Sequence, residues 1–122
     1  MNKLFDWLHG ARWRMSFSHC LEALIIQPLG GVIIWLAGYS VPVAACGGAL
    51  IVAAYYYSRE KSQFEQRVKI PGDSNTTVWA AGIWPGDWGQ DSLLDFLFPV
   101  ASSSGLAVAL FFLDQYVHKG IT

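Results

Sequence analysis

The sequence predicts an all-α membrane protein, with an N-terminal amphipathic interfacial helix, three transmembrane helices and a Trp-rich cytoplasmic loop between the second and third spans. Two observations carry this expectation. Hydrophobic residues make up 53% of the 122-residue chain and charged residues only 14%, against about 25% charged in ordinary soluble domains. Three apolar stretches, roughly residues 21–39, 41–57 and 96–113, hold a single charged side chain among them, Glu22, and each approaches the ~20 residues that cross a bilayer. Eight Lys/Arg against nine Asp/Glu leave a net charge of −1, with no basic surplus for nucleic acid and no acidic run of a disordered tail.

The chain divides by pattern into an amphipathic segment (1–18), a transmembrane helical hairpin (19–58), a cytoplasmic Trp-rich loop (59–92), and a third span with a short outer tail (93–122). In the first segment Leu4, Leu8, Ala11 and Met15 share a helical face while Lys3, Asp6 and Arg14 lie elsewhere, and Trp7 and Trp13 suit the headgroup layer. This segment lacks the continuous apolar core of a cleavable signal peptide. The first span is therefore expected to stay attached. Gln27-Pro28 and Gly30-Gly31 predict a kink within it, and Gly38-Tyr39-Ser40 before Pro42 predicts a tight link to the second span.

Small residues recur every four positions in two spans, as Ala45, Ala49 and Ala53 (with Ala44 and Gly48 beside them) and as Ala101, Gly105 and Ala109. Such stripes let helix backbones approach closely, which makes homo-oligomers or a host membrane partner the expected associates, alongside the lipid bilayer. Tyr55-Tyr56-Tyr57 reads as an aromatic belt closing the second span, with room for the helix to run on a few turns beyond it. Trp79, Trp84 and Trp88, set among Pro71, Gly72, Gly82, Pro85, Gly86 and Gly89, predict an irregular loop that lies back on the membrane or the bundle. Cys20 and Cys46 read as two small buried thiols rather than as a disulfide framework.

Seven of the eight cations (Lys3, Arg12, Arg14, Arg59, Lys61, Arg67 and Lys69) fall on the side shared by the N-terminus and the 59–92 loop, and Lys119 falls on the other. The positive-inside rule then places the N-terminus in the cytoplasm and the C-terminus outside a bacterial inner membrane. This topology gathers His19, Glu22, Arg59, Glu60, Glu65, Asp91 and Asp95 at one membrane face. Glu22, one turn into a span, calls for a cationic partner; Arg59 is the expected one, with Asp95 as the competing neighbour at that end.

Three uses of the cluster stand side by side. An interfacial ion-pair network built on Glu22, Arg59 and Asp95 would fix helix packing. A divalent-metal or acid/base site would draw on His19, Glu22, Glu60, Asp91 and Asp95. A headgroup or partner surface would present Arg59, Lys61 and Arg67 to phosphate. No cofactor is predicted, a divalent metal being the one candidate, and no catalytic residue is assigned outside the metal reading. Ser102-Ser103-Ser104 has no histidine near mid-membrane to activate it and reads as packing serines; His9 and His118 read as interfacial and solvated side chains.

Tyr57, Arg59, Glu60, Gln63 and Glu65, followed by Trp84, Trp88, Asp91 and Asp95, resemble the small integral membrane proteins of tailed phages and prophages, over about residues 55–100. In them an aromatic-Arg-Glu-x-x-Gln helix end precedes a Trp-rich loop and an Asp-x-x-x-Asp helix start. In size and span number the chain is similar to holins, from which its single C-terminal lysine, expected outside, sets it apart. The resemblance implies a non-enzymatic membrane component that works through helix association or a host-membrane partner. The alternative is a membrane-interface hydrolase of a lipid or lipid-linked phosphate using a bound divalent metal.

Overall fold

A computed structural model describes residues 12–68 and 81–120, with side chains from Met15 onward. Three helices account for nearly all of them: α1 (Arg12–Leu36), α2 (Val41–Val68) and α3 (Gln90–Gly120), with a single 3₁₀ turn at Pro85–Asp87. Among the described residues there are no strands. All three helices are long and apolar enough to cross a membrane, over Met15–Leu36 (22 residues), Val41–Val68 (28) and Gln90–Gly120 (31). At about 1.5 Å per residue, each exceeds the roughly 30 Å of a bilayer's hydrocarbon core.

Each helix packs against both others, and the inward residues recur at three-, four- or seven-residue steps. They are Ser16, His19, Ala23 and Gln27 in α1, Ala45, Gly48, Val52, Tyr56 and Glu60 in α2, and Ser92, Pro99, Ser103 and Ala107 in α3. Ala23, Val52 and Tyr56 form the centre, with Ile26 and Phe96 against them. The arrangement is inside-out relative to a soluble bundle. Leu36 (72%) and Leu50 (71%) face outward, while Gln27 and Glu60 are each 1% exposed. Such a surface suits lipid rather than water.

The hairpin link follows from Gly38. Its φ of +95° is a left-handed conformation that side chains rarely adopt, and it lets the Gly38 N–H reach Trp35 O (2.9 Å) and the Tyr39 N–H reach Ile34 O (3.5 Å). That pair of bonds is a Schellman ending. It reverses the chain into Ser40, whose carbonyl accepts from the Ala44 N–H at 2.9 Å in the first turn of α2. Close approach of α1 and α2 depends on the small residues expected for it. The position of a Cβ on Gly31 lies 3.1 Å from Ala44 O, and one on Gly48 would collide with Gln27 O. Beyond this contact an apolar cleft of about 200 Å³ opens between the helices, lined by Pro28, Gly31, Trp35, Val41 and Leu106 among others.

Several expected boundaries shift. Helix α1 runs unbroken from Arg12 through residue 18 and through Pro28, so Met15 to Ser18, expected in the interfacial segment, belong to the first apolar stretch. Residues 1–11 of the expected amphipathic segment lie outside the described residues. Helix α2 runs on past residue 59 for a few turns, to Val68, because the following residues are good helix formers and Lys61 pairs with Glu65 one turn on. Helix α3 begins at Gln90 rather than at residue 93. Cys20 is only partly buried and Cys46 is exposed, since the inward face of α2 is set by Ala45, Gly48 and Val52 and Cys46 points away from it.

The described part of the Trp-rich loop lies back on the bundle. Trp88, 5% exposed, stacks at an angle on Tyr57 (5.5 Å) and edge-on against Phe96 (5.7 Å), and its indole N–H donates to Gly82 O at 2.9 Å. Tyr57 Oη donates to Ile83 O at 2.6 Å. Trp84 is 75% exposed, and Trp79 lies outside the described residues. Trp88→Phe keeps a ring in place but removes the donor to Gly82, so thermal unfolding in detergent should show a loss of about 0.5–1.5 kcal/mol. An unchanged transition would mean that ring packing alone pins the loop.

Candidate functional site at the polar end of the bundle

The polar side chains expected at one membrane face come together where α1, α2 and α3 meet, and Tyr56 stands at their centre. It is fully buried, on the same face of α2 as Val52 and Glu60. Its hydroxyl lies 2.7 Å from Glu22 Oε2 and 3.1 Å from the His19 carbonyl oxygen. One hydroxyl proton serves one acceptor well, and the shorter, charge-assisted bond to Glu22 takes it. Tyr55 Oη adds a longer contact to Glu22 Oε1 at 3.5 Å, with the Tyr55 ring edge-on to Tyr56 at 5.1 Å.

Arg59 sits one turn further along α2. Its Nη1 lies 3.3 Å from His19 Nε2 and 3.3 Å from Glu60 Oε1, and its guanidinium carbon is 5.9 Å from the centre of the Tyr56 ring, within cation–π reach. An imidazole that accepts from a guanidinium at Nε2 carries its own proton at Nδ1. That Nδ1 faces Asp95 Oδ1 of α3 at 3.5 Å, too poorly aligned for a hydrogen bond, and has no hydrogen-bond partner among the described residues. Glu60 Oε2 is likewise buried without a partner.

The expected pairing of Glu22 with Arg59 is therefore corrected. Glu22 lies exposed on the outer surface of α1 and takes its hydrogen bonds from tyrosines, whereas Arg59 turns inward to Glu60 and His19. The reason is geometric. Tyr56 lies inside the bundle with its hydroxyl toward Glu22 and its ring toward Arg59, and it holds the two ions apart. Asp95 joins the cluster through His19, while Asp91 is exposed in the first turn of α3, where a carboxylate complements the helix N-terminus.

Among the described residues, no three His, Cys, Asp or Glu side chains are placed to hold a metal ion. The ligand set His19, Glu22, Glu60, Asp91 and Asp95 expected for a metal-dependent hydrolase does not converge. Arg59 occupies the space between His19 and Glu60, and Glu22 and Asp91 point outward.

The other cations expected to face phosphate have partners within the chain. Lys61 is salt-bridged to Glu65. Arg67 donates to Ser92 Oγ at 2.7 Å and to the Gln63 carbonyl at 3.3 Å, tying the water-side end of α2 to α3. Ser102 and Ser103 donate to the carbonyls of Phe98 (2.9 Å) and Val100 (3.1 Å) within their own helix, as packing serines do. His118 sits beside Asp114 in the last turns of α3 and is 74% exposed.

Sequence reasoning missed two residues here. Tyr56 reads as one of three belt tyrosines, yet its four-residue spacing from Val52 and Glu60 is a signal that it faces inward. Gln27 reads only as part of a kink; it is buried and its side-chain amide donates to Ala45 O at 3.2 Å, a second tie between α1 and α2. Comparison of the chain with protein-family models, curated proteins and solved structures gives no match.

Proposed function

We propose that this is a three-span inner-membrane protein of phage type that acts non-enzymatically, through association of its helices with a second copy or with a host membrane protein. One observation supports this above the others, the different fates of the two small-residue stripes. On α2 much of the small-residue face is used within the chain: Ala44 and Ala45 are 5% and 4% exposed, Gly48 is buried against Gln27, and Ala49 and Ala53 are partly buried. On α3 Ala101, Gly105 and Ala109 all face outward, and nothing lies within 4 Å of the position of a Cβ on Gly105. A narrow apolar groove facing lipid supplies the close backbone approach on which membrane helices associate. Ser104, exposed beside Gly105, adds a hydroxyl for an interhelical hydrogen bond.

The orientation, with the N-terminus and polar cluster inside, rests on the asymmetry of Lys and Arg, and the phage-type reading rests on the likeness over residues 55–100. Holin-like lysis and quieter modulation of a host protein both use such a surface. In vesicles, energy transfer between labelled copies should fall severalfold for Gly105→Leu while the helical content stays unchanged, because the new side chain fills the groove without touching the bundle. Association undiminished in Gly105→Leu and in a matching Ala101→Leu variant would exclude this face as the contact.

A further inference from the structure

We propose that Glu22, Tyr55 and Arg59 form a headgroup site for an ethanolamine phospholipid, in which the carboxylate takes the ammonium and the free edge of the guanidinium takes the phosphate. The inference rests on the reading of these helices as membrane spans. It starts from two opposite charges that are close in the fold and do not neutralise each other.

Glu22 is an exposed carboxylate inside a span. Both of its oxygens meet only neutral donors, Tyr56 Oη at 2.7 Å and Tyr55 Oη at 3.5 Å. Two hydroxyls orient a carboxylate but leave its charge uncompensated, and a bare charge at the edge of hydrocarbon is unfavourable. Arg59 is ion-paired with the buried Glu60 but is not saturated as a donor. Both of its polar contacts run through Nη1, leaving Nη2 and Nε as donors, and its side chain is 31% exposed. Lys61 and Arg67 are engaged by Glu65 and Ser92, and Arg59 is the cation of α2 set beside the tyrosine that holds Glu22.

The spacing sets the scale of the site. Arg59 follows Tyr55, which touches Glu22, by four residues, so the two share a face of α2 with their Cα atoms about one helical turn, roughly 6 Å, apart. A zwitterion whose ammonium and phosphate are joined through two carbons spans that scale. The tyrosines wall the lower half of the site: Tyr55 is 44% exposed and lends its ring face and hydroxyl to a headgroup folded against the helix pair. A primary ammonium donates hydrogen bonds to Glu22. A choline headgroup has the charge without an N–H, and a glycerol headgroup has no cation.

The test uses the full-length chain purified in detergent, with bound lipid read by native mass spectrometry during titration with phosphatidylethanolamine, phosphatidylcholine or phosphatidylglycerol. Ethanolamine lipid should be retained about tenfold more tightly than choline lipid, the scale of one charge-assisted hydrogen bond. Glu22→Gln should erase that preference. Arg59→Gln should weaken all three phospholipids together, since they share the phosphate. Free phosphoethanolamine should not displace the lipid at matched concentration.

Equal retention of the three lipids, or an ethanolamine preference surviving in Glu22→Gln, overturns the proposal. So does displacement by free phosphoethanolamine, which would make the ligand a soluble one. Loss of self-association in Glu22→Gln with lipid binding unchanged would assign the carboxylate to a protein partner instead. If Glu22→Gln fails to fold, the comparison of ethanolamine with choline lipid on the unaltered chain still decides. Recovery of the chain in the soluble fraction, with no lipid of any class, would refute the membrane reading itself rather than the headgroup site alone.

Discussion

Arg59→Ala is expected to lower the stability of the bundle by about 3 kcal/mol, and Glu60→Gln in the same chain is expected to restore most of it. Glu60 is 1% exposed, and its one described ion-pair partner is Arg59 Nη1 at 3.3 Å. Removing one member of a buried pair costs about 3–5 kcal/mol because the other charge stays desolvated and alone. The guanidinium is 31% exposed, so water screens part of the interaction and the lower end of that range applies. Neutralising Glu60 removes the orphaned charge, whereas Glu22→Gln should not rescue Arg59→Ala, since Glu22 is exposed and bound to Tyr56. Thermal unfolding of the four variants in one detergent checks this. Rescue by Glu22→Gln rather than Glu60→Gln would return Arg59 to the partner that the sequence suggests and overturn the geometry described here.

Gly48→Leu should abolish the folded bundle, and even Gly48→Ala should destabilise it by about 1–3 kcal/mol. A methyl group normally stabilises a helix glycine by about 0.8–1 kcal/mol, so the sign depends on what that methyl meets. At Gly48 it meets the carbonyl oxygen of Gln27, which belongs to the backbone of α1 and cannot turn aside. At Gly47 it meets the end of the Ile34 side chain, which can change rotamer, and at Gly105 it meets nothing. Gly105→Ala should therefore raise monomer stability by roughly the propensity difference, and Gly47→Ala should fall between the two. The folded fraction recovered from membranes, with unfolding midpoints for the alanine series, gives the order. A Gly48→Ala variant as stable as Gly105→Ala would mean that α1 and α2 do not approach as closely as the structure shows.

Much of the architecture was legible because it depends on local pattern. Three apolar runs broken by Gly38-Tyr39-Ser40 and by the Gly- and Pro-rich segment before Gln90 specify three long helices, whatever the helices touch. The convergence of His19, Arg59 and Asp95 was also legible, since a tight hairpin and a third antiparallel span must bring those helix ends to one face. Helix ends were less so. The continuation of α2 to Val68 depends on polar helix formers and the Lys61–Glu65 pair, which hydropathy does not register.

Pairing was not legible in the sequence. Depth along a span can be counted in residues, but rotation about a helix axis is set by what packs against it, and a difference of one residue turns a side chain by about 100°. Glu22 and Arg59 stand at similar depth, and sequence alone makes them a pair. Only the packing of Tyr56 between α1 and α2 turns Glu22 outward to the tyrosines and Arg59 inward to Glu60. The two small-residue stripes look equivalent in sequence for the same reason. Pattern alone gives both spans a face of small side chains; packing sets Ala44 and Gly48 of α2 against Gly31 and Gln27 and leaves Ala101, Gly105 and Ala109 of α3 on the outer surface. Which residues a helix face meets follows from contacts between residues far apart in the chain; periodicity within one helix, as at Val52, Tyr56 and Glu60, marks a face but not its partners.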